Sequence, residues 1–142
     1  MKSSVKNKKE LVGFYTCFVR PILDYCSNVY HPMLTKTLTQ DLENLQYTAL
    51  KIVYGYEETK PSLLELSGLT TLEERRRSTF RKFCLKVHAS DRFREKWIEK
   101  REFEGPELRK QNIIKEHFAH SKRLFDSPLF TLRRTLNDIL IT

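Results

Sequence analysis

Leu11, Phe14, Tyr15, Phe18, Ile22, Tyr25, Cys26 and Val29 follow one another at spacings of 3, 1, 3, 4, 3, 1 and 3 residues. That is the period of a single apolar stripe on a helix, and its aromatic residues are expected in the core. Pro21 falls inside the stripe, where it removes a backbone donor and clashes with the preceding turn. The stripe keeps its phase across the proline, so the spacing predicts a kinked or broken helix pair packed as a unit. A second helix is predicted from near Thr39, with Leu38, Leu42, Leu45, Ala49, Ile52 and Val53 at helical spacing and Gly55 as its stop. Pro61 opens a short helical element that Gly68 ends.

The clearest helix start is Thr71, with Glu74 three residues on in the pattern of a capping box. Leu72, Thr79, Phe80, Phe83, Cys84 and Val87 supply the expected inward face of that helix. Ser90 is placed to cap another, with Phe93 and Trp97 four apart on one side. The stretch from Thr71 to Arg101 therefore reads as a helical hairpin. Beyond it the pattern thins: Phe103, Ile113, Ile114 and Phe118 are interrupted by Gly105-Pro106, and residues 101–126 are expected to be the most mobile. Ser127 and Pro128 then mark a last helix with the stripe Leu129, Leu132, Leu136 and Leu140.

Only four Gly and five Pro occur in 142 residues, too few breaks for a strand-rich fold. The expectation is a small all-α domain of about five to seven helices. The length excludes a complete polymerase or a large α/β enzyme. Cys17, Cys26 and Cys84 are too few and too scattered for a disulfide framework. They point to a reducing, intracellular compartment, nucleus or cytoplasm, with Cys17 and Cys26 read as small buried hydrophobes. No apolar run approaches the roughly 20 residues of a membrane span, so no membrane partner is expected, and no signal peptide.

Net charge changes the picture more. Lys and Arg number 26 against 18 Asp and Glu, a balance of +8 that favours anionic partners. The excess is local. Residues 1–10 carry net +3, residues 36–70 net −2, and residues 72–101 hold eleven basic against five acidic side chains, net +6. Lys8, Lys9, Arg75, Arg76, Arg77, Arg81, Lys82, Arg92 and Arg94 are the candidate phosphate contacts, with Lys86, Lys96, Lys100 and Arg101 extending the field. Such residues anchor a strand or duplex without reading its bases.

Motifs for other chemistry are missing. The sequence has no P-loop, dinucleotide glycine pattern or protease-type metal motif. His31, His88, His117 and His120 make no recognisable zinc pattern. Asp24, Asp41, Asp91, Asp126 and Asp138 are isolated, whereas a polymerase needs a carboxylate cluster on its divalent ions. No catalytic residue, metal or cofactor is expected.

Four stretches, in order, carry a resemblance: FVRPILDYCSNVYHPML, DLENLQYTALKIVYG, LLELSGLTTLEERRRSTFRKF and SPLFTLRRTLN. Across roughly residues 11–137 the chain is similar to the region that follows the catalytic palm in reverse transcriptases of non-LTR retrotransposons. Arg20, Pro21, Leu23 and Tyr25 match the family's Arg-Pro-x-Leu-x-Tyr core, and Tyr30 and Pro32 its aromatic-x-Pro pattern, where Trp is the commoner aromatic. Leu42, Glu43 and Gln46 match Leu-Glu-x-x-Gln. Leu69, Leu72, Glu73, Arg75 and Arg76 match Leu-x-x-Leu-Glu-x-Arg-Arg, and Ser127, Pro128, Arg134, Leu136 and Asn137 resemble the tail motif.

The resemblance implies a basic N-terminal extension (1–10), a thumb-like helical domain (11–101) and a post-thumb segment with a terminal helix (102–142). In that family the region helps hold template and nascent duplex. The palm and fingers, with their metal-binding aspartates, have no counterpart here, so activity is not carried over. A fragment of a polyprotein, a degenerate element product and a derived host protein all fit. The expected function is non-catalytic, largely sequence-independent binding of DNA, RNA or an RNA–DNA hybrid. The alternative is a structural module that forms a homo-oligomer or docks to a partner protein through apolar surface left without the palm.

Overall fold

The computed structural model describes residues 2–100 and 113–141, with side chains of the first helix described from Asn7 onward. Phe103, the Gly105-Pro106 break and the expected boundary at 101/102 lie outside these residues. The described chain is helical, with no strand and a single isolated antiparallel bridge between Lys100 and Ile114. Six of its helices have seven residues or more, in keeping with the expected all-α class. They are α1 (Lys2–Phe14), α4 (Lys36–Tyr54), α5 (Lys60–Ser67), α6 (Leu72–Ala89), α7 (Asp91–Trp97) and α9 (Pro128–Ile141). Shorter helices are α2 (Arg20–Asp24), α3 (Ser27–Tyr30) and α8 (Lys122–Phe125).

Two compact units divide the chain inside α6. One comprises residues 1–27 and 34–77, the other residues 28–33 and 78–142.

In the first unit, Val12 of α1, Leu50 of α4 and Leu63 of α5 form the apolar core, edged by Tyr47, Val53, Tyr54, Leu64 and Leu69. Pro21 has the consequence expected of it. Tyr15–Val19 opens into a π-helical turn before α2, because the proline cannot donate to the carbonyl four residues back. Thr35 caps α4 by accepting from the Leu38 N–H at 3.3 Å, so this helix starts three residues before the expected Thr39. Gly68 ends α5 in the left-handed region, as a glycine there allows.

Which faces point inward differs from the pattern reading. Phe14, Phe18, Ile22 and Tyr25, expected in the core, are 59–77% exposed, while Val12, Tyr15 and Arg20 are buried. Cys17 and Cys26 are likewise exposed, not buried; only Cys84 lies inside. On α4, Leu38, Leu45 and Ile52 face outward, whereas Glu43, Gln46 and Leu50 face inward. The polar residues are held inside by partners from other segments.

In the second unit, Phe80, Cys84 and Val87 of α6 pack with Ile98, Ile114, Leu132 and Leu136. Phe83 and Trp97 lie against this core, and the 3₁₀ turn His31–Met33 packs on α9. Of the four leucines expected to form the inner stripe of α9, Leu132 and Leu136 are buried, and Leu129 and Leu140 are partly exposed. Arg133 and Asn137 occupy the remaining inward positions because the backbone of neighbouring segments needs them. Arg133 Nε donates to the Trp97 carbonyl at 3.1 Å. Asn137 accepts from the Ile114 N–H at 2.8 Å and donates to the Ile114 carbonyl at 3.1 Å, replacing a strand partner. Asp91 begins α7 as the sequence leads one to expect, although Ser90 makes no side-chain cap bond.

Candidate nucleic-acid interface

Eight of the nine candidate cations fall into three groups, with Lys9 standing apart on α1. Arg76 is 1% exposed and lies on the inner row of α6, four residues from Leu72 and four from Phe80, where Thr79 was expected and is instead exposed. It is unavailable to a phosphate. Glu43 reaches this guanidinium at 3.9 Å, an ion pair too long for a hydrogen bond, and none of the Arg76 nitrogens has a hydrogen-bond acceptor among the described residues.

Arg75, Arg77, Arg94 and Lys8 are reachable but engaged. Arg75 Nε donates to Asp24 at 2.6 Å, Arg77 pairs with Glu73 at 3.0 Å one turn back, and Arg94 pairs with Asp91. Lys8, half-buried, stands 5.6 Å from the Tyr54 ring centre, within cation–π range. Lys9 is exposed.

Arg81, Lys82 and Arg92 form the third group. All three are exposed and have no ion-pair partner among the described residues. Lys86 and Lys96 share that condition. Lys82 and Lys86 are four apart on α6, opposite the buried row Phe80, Cys84 and Val87; Arg92 and Lys96 are four apart on α7. Each pair stands on one helix face with roughly 5–6 Å between Cβ atoms. These five cations belong to the second unit, so the net excess of residues 72–101 is concentrated there in reach of solvent.

Charge-run reasoning missed a polar network in the first unit. Glu43 accepts from the Leu72 N–H at 3.2 Å and the Glu73 N–H at 2.6 Å, so a carboxylate from α4 caps the start of α6. Thr71 completes the cap by accepting from the Glu74 N–H at 3.2 Å. Gln46 donates to the Thr70 carbonyl at 3.0 Å and accepts from the Tyr15 hydroxyl at 3.3 Å. Glu43, Gln46 and Arg75, all among the residues that carry the resemblance, thereby tie segments of this unit together, while Arg20 and Arg76, which also carry it, are buried in it. Burial, then the charge of Arg75, pulls Arg20 below the usual guanidinium range, with Asp24 opposing. It remains protonated all the same.

Burial also pushes the Tyr15 hydroxyl up to about 12 from its ordinary 10.0. A folded-state value raised in this way contributes stability that is complete below pH 10 and lost as pH rises through 12. Two pH units correspond to about 2–3 kcal/mol. Alkaline titration of helicity is therefore expected to show a loss between about pH 10 and 12 that Tyr15→Phe reduces. An identical titration in the variant would refute the assignment.

No protein-family model, no curated protein and no solved structure matches the chain.

Proposed function

We propose that this chain is a non-catalytic nucleic-acid-binding module, akin to a reverse-transcriptase thumb, that grips the phosphate backbone without reading sequence. The observation that carries the reading is the set of five exposed cations on α6 and α7 that have no ion-pair partner among the described residues: Arg81, Lys82, Lys86, Arg92 and Lys96. Their side chains approach an anionic backbone without first breaking an internal ion pair. Binding is driven by release of counterions, and the protein performs no bond chemistry. It acts in the nucleus or cytoplasm, on DNA, RNA or an RNA–DNA hybrid.

Neutralising three to five phosphates gives a log–log salt slope of about −3 to −4.5 on a duplex, a loss of roughly 40- to 500-fold between 50 and 200 mM salt. Fluorescence anisotropy on duplex DNA, hybrid and single strands measures it. The double charge reversal Arg81→Glu, Lys82→Glu is expected to lower affinity at least about tenfold and flatten the slope by about 2. Unchanged binding in that variant, or none by the folded wild type at low salt, would reject the reading.

A further inference from the structure

Between Leu11 and Cys26 every exposed position is uncharged: Leu11, Phe14, Cys17, Phe18, Val19, Pro21, Ile22, Tyr25 and Cys26. The two charged residues of this stretch are taken inward. Arg20 is buried and Asp24 is half-buried beneath the Arg75 guanidinium. The element is thus inside out, with arginine against the first unit and an apolar ridge facing away. Along the ridge Leu11, Phe14, Phe18, Ile22 and Tyr25 are spaced 3, 4, 4 and 3 residues apart, and the Phe14 and Phe18 rings touch at 4.8 Å between centres. The outward leucines of α4 form no equivalent ridge, because the exposed Gln40, Asp41, Asn44 and Thr48 stand among them.

We infer that this ridge is the contact between two copies of the chain, related by a two-fold axis at Phe18. The spacing reads the same in both directions from Phe18. Antiparallel apposition sets Leu11 against the second copy's Tyr25, Phe14 against its Ile22, and Phe18 against Phe18, which is the reciprocity an isologous interface requires. Size agrees. At about 200 Å² for a whole aromatic side chain, the exposed parts of Phe14, Phe18 and Tyr25 offer about 400 Å². That is half of the about 800 Å² each partner gives to a standard interface, before Leu11, Val19 and Ile22 are added. Electrostatics points to a second copy over an acidic protein or a nucleic acid: the ridge offers no cation to either, and its lack of charge lets two strongly basic chains meet without like charges apposed.

Sedimentation equilibrium of the full chain tests this at about 0.5 M salt, where phosphate-mediated bridging is screened. A dimer is expected, and Phe18→Glu weakens it at least about tenfold while the helical circular dichroism is retained. Intrinsic thiols give a second, variant-independent reading. Cys17 lies beside the two-fold axis, whereas Cys26, eight residues from Phe18, is about 24 Å from its equivalent at roughly 1.5 Å per residue. A short bis-maleimide should therefore join two chains in Cys26→Ser but not in Cys17→Ser. A monomeric wild type, or a dimer untouched by Phe18→Glu and cross-linked through Cys26, overturns the inference. The nucleic-acid reading survives either result, since it rests on other residues.

Discussion

Replacing Glu43 by alanine is expected to destabilise the first unit by about 3–5 kcal/mol, the cost of removing one partner from a buried ion pair. Two hydrogen bonds and one ion pair are lost together. The N–H groups of Leu72 and Glu73 lose their acceptor at the start of α6, and Arg76 is left with its charge buried and unopposed. Thr71 cannot compensate, because its hydroxyl already serves the Glu74 N–H. Glu43→Gln should sit between alanine and wild type, since an amide oxygen accepts one of the two N–H bonds but carries no charge. Arg76→Met placed on Glu43→Gln is expected to recover part of the loss, because the stranded guanidinium is then gone and an apolar chain fills its space. Urea unfolding followed by circular dichroism gives the totals. Amide exchange at Leu72, Glu73 and Glu74 assigns them to this helix start. A Glu43→Ala change below about 1 kcal/mol would mean that solvent reaches these groups after all.

How much of this was legible follows from where polar residues were admitted to the interior. Helix ends were readable, since Thr71, Gly68 and Pro128 act through local backbone chemistry that needs no tertiary partner. Inward faces in the second unit were mostly readable too, since Phe80, Cys84, Val87, Leu132 and Leu136 obey the rule that apolar residues turn inward. The first unit breaks that rule on two successive elements. Glu43 and Gln46 turn inward because the start of α6, the Thr70 carbonyl and the Tyr15 hydroxyl lie 24 to 31 residues away in sequence and need partners. A one-dimensional hydrophobic period has no term for such partners. It therefore assigned Leu38, Leu45 and Ile52 to the core. Arg76 was concealed for a related reason. Within a run of three arginines charge alone treats the members alike, yet only Arg76 stands four residues from both Leu72 and Phe80, a spacing that marks the inner row. The π-helical turn adds a residue to one turn, so that Arg20, five residues after Tyr15, shares its inward face while Phe14 and Phe18 remain outside.

Leu136→Ala is expected to cost the second unit about 2–5 kcal/mol, toward the upper end of that range. Leu136 is wholly buried in the cluster that joins α6, Ile98, Ile114 and α9. The size of the penalty depends on how far the surroundings can close over the lost methyl groups. Here the adjacent residue resists closure. Asn137 holds the Ile114 backbone by both its N–H and its carbonyl, and donates to Glu116 at 2.8 Å, so α9 cannot slide toward the vacated space without breaking buried hydrogen bonds. Leu140, one turn later, is the matched control. It is 36% exposed and borders an open cavity of about 210 Å³ with Ile98 and Ile114, so its truncation leaves a site already shared with solvent. Leu140→Ala should cost less than about 1 kcal/mol. Chemical denaturation of the two variants, monitored through Trp97 beside the same core, separates them. Equal losses at Leu136 and Leu140 would show that the fastening of Ile114 by Asn137 does not hold α9 in place.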